Sequence, residues 1–209
     1  MKVNEIFLSI QGESSSIGLP TIFVRFTGCN LRCSYCDTKY AYHDGHDMTI
    51  EQILNKIESF GCKRICLTGG EPLLQKDIQS LIDRLSDYEV SIETNGSVDL
   101  SKFKLCNNHR FVMDIKLQTS GCYDNMNLEN FNYLTNNDEI KFVIANRADY
   151  EKACDVIKKY HKLGNLIMSP VFDAVCYSDL VEWILQDKLN VRFQLQIHKI
   201  IWDKNKRGV

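Results

Sequence analysis

From Arg64 to the end, the chain alternates short apolar runs with stripes of apolar residues at helical spacing, and this pattern limits its fold more than any other feature. Arg64-Ile65-Cys66-Leu67-Thr68 reads as a strand, and Ile78, Leu81, Ile82 and Leu85 as one face of a helix. Tyr88 to Glu93 is the next strand, followed by a short, weak helical segment near 99–106. Phe111 to Ile115 and Ile140 to Ala145 continue the strands, the second leading into a helix at about 148–161. Leu166-Ile167-Met168 is a strand, Leu180, Val181, Ile184 and Leu185 a helical stripe, and Val191 to Ile197 the last strand. Upstream, Thr21 to Phe26 is strand-like, and Thr49 with Gln52 forms a capping box opening a helix through Ile50, Ile53, Leu54 and Ile57, which Gly61 ends. Strands alternating with helices predict an α/β fold with a parallel sheet and right-handed crossovers. About six βα units are too few to close an eight-fold barrel, so an open, partial TIM-like barrel is expected, with its active face at the carboxyl ends of the strands. The alternation alone does not distinguish this from an open doubly wound sheet. With no repeat or linker, residues 1–209 read as one domain.

Composition removes several function classes. No stretch approaches ~20 uninterrupted apolar residues, so no membrane span is expected. Met1 to Glu5 lacks the apolar core of a secretory signal, which predicts a cytoplasmic protein. Lys and Arg number 25 against 27 acidic residues, so the net charge of −2 gives nonspecific nucleic-acid binding no global support.

The chemistry is concentrated in Gly28 to Thr38, where Cys29, Cys33 and Cys36 stand at C-x3-C-x2-C spacing just after the strand at 21–26. Three thiolates brought to one point suit zinc or an iron–sulfur cluster, and a cubane bound by only three of them keeps one iron open to another ligand. A structural zinc site with His43 or His46 as fourth ligand is the alternative. A disulfide framework fits poorly, because nine cysteines is an odd count. The other six, at 62, 66, 106, 122, 154 and 176, read as small buried hydrophobes in a reducing compartment.

The triplet, with Tyr35 before its third cysteine, resembles the signature of radical S-adenosylmethionine enzymes, and later strand ends carry compatible chemistry in order. Thr68-Gly69-Gly70-Glu71-Pro72 resembles the motif that receives the methionine amino group in that superfamily, and Glu93 in Glu93-Thr94-Asn95-Gly96 the carboxylate that meets the nucleoside. Asp114 to Gln118 and Ser169 to Asp173 follow at two more strand ends. Such a succession argues for the cluster over zinc.

A narrower resemblance spans nearly the whole chain. Glu5-Ile6-Phe7 through Gln11-Gly12-Glu13, Phe23 through Cys33, Cys36-Asp37-Thr38-Lys39-Tyr40-Ala41 and the terminal Gln196-Ile197-His198-Lys199 are similar to the 7-carboxy-7-deazaguanine synthases. That resemblance implies a [4Fe-4S] cluster on Cys29, Cys33 and Cys36, and Mg2+ on the Thr38 hydroxyl. S-adenosyl-L-methionine would lie among Tyr35, Cys36, Asp37, Gly70, Glu71, Glu93, Asp114, Ile115, Lys116, Gln118, Ser169, Pro170, Val171 and Phe172. Ile10, Gln11, Gly12, Glu13, Arg25, Thr68, His198 and the Val209 carboxylate would hold a pterin substrate. Tyr35 stands where many relatives carry tryptophan, and Asp114 to Gln118 departs from the frequent Ser-Pro-Lys.

The implied reaction converts 6-carboxy-5,6,7,8-tetrahydropterin to 7-carboxy-7-deazaguanine, a step toward queuosine, through a 5′-deoxyadenosyl radical, with loss of ammonia and regeneration of S-adenosylmethionine. A flavodoxin-like electron donor and a homodimer are further implications. A glycyl-radical-enzyme activase and a zinc-stabilised binding module are the competing readings.

Overall fold

Residues 1–204 and 206–209 are described by a computed structural model. Its strands are β1 (Lys2–Ile10), β2 (Pro20–Phe26), β3 (His46–Asp47), β4 (Arg64–Gly69), β5 (Glu89–Thr94), β6 (His109–Ile115), β7 (Glu139–Ile144), β8 (Asn165–Pro170) and β9 (Arg192–Phe193). Its helices are α1 (Ile50–Glu58), α2 (Ile78–Arg84), α3 (Arg147–Tyr160), α4 (Tyr177–Gln186) and α5 (His198–Ile201). All nine strands join one sheet in the order β3-β1-β2-β4-β5-β6-β7-β8-β9. From β2 to β9 every pairing is parallel, whereas β1 runs antiparallel to both β2 and β3. The sheet therefore curls without closing, the open α/β barrel expected from the alternation.

Side chains alternate across a strand, and the two faces of this sheet carry different chemistry. On the outer face Ile22, Val24, Phe26, Ile65, Leu67, Ile92, Met113, Ile140 and Phe142 share one core with Ile53 and Ile57 of α1, Leu81 and Ile82 of α2, Ala153 of α3 and Leu180 of α4. The alternate positions, which face inward, include Arg25, Thr68, Glu93, Asp114, Lys141 and Ser169. A sheet covered on both faces normally has apolar residues throughout; here the inner face is polar because it surrounds a site.

Thr49 caps α1 as its sequence predicts: its hydroxyl accepts from Gln52 N at 3.2 Å and Gln52 Oε1 accepts from Thr49 N at 2.8 Å. The segment near 99–106 is a correction, since only a 3-10 turn at Leu100–Lys102 forms there. Asn130, fully buried, replaces a helix as the organiser of this crossover. Its Oδ1 accepts from Leu100 N, and its Nδ2 donates to Gly96 O and Val98 O. The last strand shrinks from 191–197 to Arg192–Phe193, because Gln194 and Gln196 turn their side chains to the loop after β1. Leu185 of the expected stripe is 69% exposed. Cys66 and Cys122 are buried as expected, whereas Cys106 and Cys176 are exposed. No helix among the described residues is long and apolar enough to cross a membrane.

Candidate active site

The cysteine loop leaves the carboxyl end of β2 and is held by the ends of its neighbours. Asn95, just past β5, donates from Nδ2 to Cys29 Sγ at 3.6 Å and to Asn30 Oδ1 at 3.1 Å. Ser34 is tied to the loop after β6, its N to Ser120 O at 3.0 Å and its Oγ to Thr119 O at 2.7 Å. Cys29, Cys33 and Cys36 are free and half-buried. Burial raises the Cys29 thiol and pushes Cys33 up to about 12, so cluster assembly must displace their protons. The neighbouring Cys122 adds to the upward push on Cys33, a proximity invisible in the spacing. Among the described residues no three His, Cys, Asp or Glu side chains are gathered for a single ion. A cubane does not require that, since each thiolate takes a different iron.

The two glycines at the carboxyl end of β4, Gly69 and Gly70, serve the cysteine loop directly. A Cβ on Gly70 would lie 1.9 Å from Gly28 O, and one on Gly69, at φ +128°, would lie 2.2 Å from Phe26 O. This close approach permits hydrogen bonds from Gly70 N to Phe26 O at 3.0 Å and from Glu71 N to Gly28 O at 2.7 Å. Glu71 is fully buried, and its carboxylate accepts from Leu73 N, Thr94 Oγ1 and Asn95 N. It thus ties the β4 loop to the β5 end. Burial moves its pKa up to about 7 despite those three donors. The Ile115 side chain lies wholly in the outer core and does not face the interior.

Five buried polar side-chain atoms among the described residues lack a hydrogen-bond partner, and three of them bear on whether a cofactor fits, although Asp114 Oδ1 has the Lys141 ammonium 3.2 Å away. Tyr35 Oη, Asp114 Oδ1 and Ser169 Oγ come from the cysteine loop, β6 and β8, all segments expected to face S-adenosylmethionine. Buried polar atoms are normally paired, so the unpartnered Tyr35 Oη and Ser169 Oγ, together with the three thiols, fit the cofactor set. Asp114 Oδ2 accepts from Lys116 Nζ at 2.7 Å, and Lys116, though burial opposes its charge, is raised by Asp114.

The loop after β1 enters the sheet's interior. Gln11 Nε2 donates to Glu93 Oε1 at 3.4 Å, and Thr68 Oγ1 to Glu93 Oε2 at 2.7 Å. Glu93, assigned by resemblance to the cofactor, is therefore bonded by two residues assigned to the substrate and stands where those two regions meet. Glu13 accepts from Lys141 Nζ and Gln196 Nε2. Burial pushes its carboxyl up, but the Lys141 ammonium and His198 outweigh that and bring it down to about 2. Gly12 is required by His198, whose Nδ1 would meet a Cβ there at 2.0 Å. Ile197 N donates to Gly12 O at 3.1 Å, and burial lowers the His198 pKa.

Arg25 Nε donates to Glu5 Oε1 at 2.8 Å, and its guanidinium lies 5.8 Å from the rings of both Phe7 and Tyr40. The terminal segment comes back to this point, with Arg207 stacked 3.8 Å over Tyr40 and Val209 half-buried. Thr38 Oγ1 donates to Asp37 Oδ1 at 2.8 Å, and Lys199 Nζ reaches Asp37 Oδ2 at 2.6 Å. Phe172 lies 5.9 Å from Lys199 Nζ. Pro170 pairs with Ile144, Val171 N donates to Ile144 O at 2.8 Å, and Gln118 is exposed at the start of a turn. Ile10 closes β1 opposite Pro20. His43 and His46 are both exposed.

Sequence reasoning missed Lys141, whose ammonium also lies 3.2 Å from Asp114 Oδ1. A lysine inside the apolar run Ile140-Lys141-Phe142-Val143-Ile144 was the available signal, since a central parallel strand rarely carries a charge.

A cysteine triplet and orphaned polar atoms at the carboxyl ends of parallel strands define a radical S-adenosylmethionine domain, and the profile described as the Radical SAM superfamily matches residues 23–184. The chain is 45% identical to the 7-carboxy-7-deazaguanine synthase of Clostridium acetobutylicum over 100% of its own length and 99% of that protein. It is 40% identical to the synthase of Koribacter versatilis over 100% of both, and 33% identical to that of Thermoplasma acidophilum over 97% of each. The chain belongs to the 7-carboxy-7-deazaguanine synthase family. It is a radical S-adenosylmethionine enzyme whose cofactors are a [4Fe-4S] cluster and S-adenosylmethionine. The crystal structure of QueE from Escherichia coli has the same fold, with a TM-score of 0.72 at 23% identity over 93% of each chain.

Proposed function

We propose that this enzyme converts 6-carboxy-5,6,7,8-tetrahydropterin to 7-carboxy-7-deazaguanine with loss of ammonia, on the route to queuosine and related deazapurines. The supporting observation is the polar array of the buried Gln11, Glu13 and Thr68 with the half-buried Glu93, set beside the Asp114 carboxylate and the unpartnered Tyr35 and Ser169 hydroxyls. One group suits a flat heterocycle with a hydrogen-bonding edge; the other suits a polar nucleoside cofactor.

Held by these residues, the cluster and S-adenosylmethionine would supply radical chemistry for removing hydrogen from the substrate carbon that bears the carboxylate. Cys29, Cys33 and Cys36 hold the cluster, and Tyr35, Gly70, Glu93, Asp114 and Ser169 orient the cofactor. Gln11 and Glu13 read the amide edge of the pterin, with donors and acceptors from the backbone of Ile10 and Gly12. Arg25, whose Nε is engaged by Glu5, turns the rest of its guanidinium to the substrate carboxylate. Thr38 offers a hydroxyl to Mg2+, which takes oxygen ligands and keeps several waters. Thr68 and His198 complete the chamber, and Val209 reaches it from the terminal segment. The protein's part is orientation and exclusion of competing reactions.

A flavodoxin-like protein supplies the electron, the enzyme works as a homodimer, and its location is the cytoplasm. Anaerobic reconstitution tests the reading: with iron, sulfide, reductant, S-adenosylmethionine, Mg2+ and carboxytetrahydropterin, the deazaguanine should form. Adenosyl cleavage without that product would overturn the substrate, and Thr38→Ala turning over like the parent would overturn the Mg2+ ligand.

A further inference from the structure

We propose that Lys141 is a positioning residue for pterin recognition, holding the Glu13 carboxylate in place and in its charged form from the middle of the sheet. This rests on the reading that Glu13 faces the pterin.

Lys141 sits in β7 directly across from Asp114 of β6 in the parallel register. Its side chain is 9% exposed, and its ammonium contacts Glu13 on one side and Asp114 Oδ1, at 3.2 Å, on the other. An ammonium buried in a sheet is expensive unless it is paired and hydrogen-bonded. Burial opposes its charge, yet Asp114, Glu13 and Glu93 keep it strongly protonated. Glu13, Lys141, Asp114 and Lys116 thus form a chain of alternating charge across the interior, from the substrate loop to the cofactor side.

The geometry at Glu13 gives this chain a purpose beyond stability. A carboxylate has about four acceptor positions; Lys141 occupies one on Oε2 and Gln196 one on Oε1. Each oxygen keeps a lone pair for ligand N–H groups, and the 2-amino-4-oxo edge of a pterin presents two such donors side by side. A neutral acid would replace one acceptor with a donor and break that match. The other charged neighbour of Glu13 is His198, whose proton is disfavoured by burial, so the constant positive charge on Glu13 comes from Lys141.

The test is equilibrium binding of carboxytetrahydropterin, measured by anaerobic equilibrium dialysis, to reconstituted enzyme with S-adenosylmethionine and an oxidised cluster, so that nothing turns over. Lys141→Met should raise Kd about tenfold or more, and Lys141→Arg should recover most of that loss. Glu13→Gln should weaken binding similarly, and Lys141→Met added to it should cost less than about twofold, because the lysine acts through the carboxylate. If Lys141→Met alone does not fold, Glu13→Gln against the double variant decides, a further tenfold loss overturning the proposal. Unchanged Kd in Lys141→Met, with a parent that binds, overturns the proposal alone. A parent that binds no pterin overturns both it and the reading beneath it.

Discussion

Replacing Gly70 with alanine would add one methyl group where the backbones of two strand ends meet, and its cost can be worked from the contacts. The new Cβ would lie 1.9 Å from Gly28 O, 2.5 Å from Gly28 C and 3.1 Å from Cys29 N, all backbone atoms that cannot rotate away. Either the β4 loop or the cysteine loop must move. Movement breaks the hydrogen bonds from Gly70 N to Phe26 O and from Glu71 N to Gly28 O, which together contribute about 2 kcal/mol. Overpacking adds about 1–3 kcal/mol, so the loss is roughly 3–5 kcal/mol, or about 6–20 °C in Tm for a chain of this length. The displaced segment carries Cys29, so cluster loading should fall as well. The assay pairs thermal unfolding of the cluster-free protein with iron content and visible absorbance after anaerobic reconstitution. Gly61→Ala is the control: Gly61 follows α1 at φ +64° with nothing within 4 Å of the added carbon. It should cost about 1–2 kcal/mol from left-handed backbone alone and leave iron loading intact. A Gly70→Ala protein that melts and loads iron like the parent would refute the argument that this glycine exists to admit the cysteine loop.

Two further predictions concern the interior. Glu13 is held at about 2 against an ordinary value of 4.5; the stability it contributes is complete above the unfolded pKa and is lost as pH falls through 4.5 toward 2. That difference corresponds to about 3 kcal/mol, of which about 2 kcal/mol should be gone by about pH 3. Urea unfolding should therefore show the gap between the parent and Glu13→Gln narrowing by that amount between about pH 7 and pH 3, and a constant gap would exclude the linkage. Asn130→Ala removes one acceptor and the Nδ2 donors to Gly96 O and Val98 O, leaving buried backbone groups unpaired. It should cost about 3 kcal/mol or more, read as a lower denaturation midpoint, and a change below 1 kcal/mol would show that the crossover does not depend on this side chain.

Much of the fold was legible because it rests on local chemistry. The capping box at Thr49 and Gln52 formed as written, and the outer face of each central strand displays the apolar run that marked it. What failed were elements whose form depends on distant partners. The 99–106 segment has enough apolar residues for a helix, but Asp99 accepts from Ser101 N and Asn130 captures Leu100 N, so the backbone stops after one 3-10 turn. Residues 194–197 look like strand, yet Gln194 trades both its amide groups with Ser14, a partner 180 positions away. β1 was not read as a strand, because its interior-facing positions Glu5, Phe7 and Ser9 mix polar and apolar residues and leave no clear alternation.

The site divides along the same line, and the division separates two kinds of residue. The groups proposed to meet a ligand sit in short motifs at strand ends, because backbone geometry there must be set by neighbours in sequence: Cys29 to Cys36, Thr68 to Glu71, Gln11 to Glu13. Groups that brace them come from wherever the sheet register puts them. Lys141 reaches Glu13 across 128 positions, Asn95 reaches Cys29 across 66, and Tyr40 reaches Glu5 across 35. Glu71 shows how the boundary can be crossed, since its motif marks it as a ligand contact while its three hydrogen bonds make it a brace. A motif therefore identifies which loop matters more dependably than which atom of that loop faces the substrate. Atoms open to a ligand are better sought by their missing partners, as Tyr35 Oη and Ser169 Oγ illustrate here.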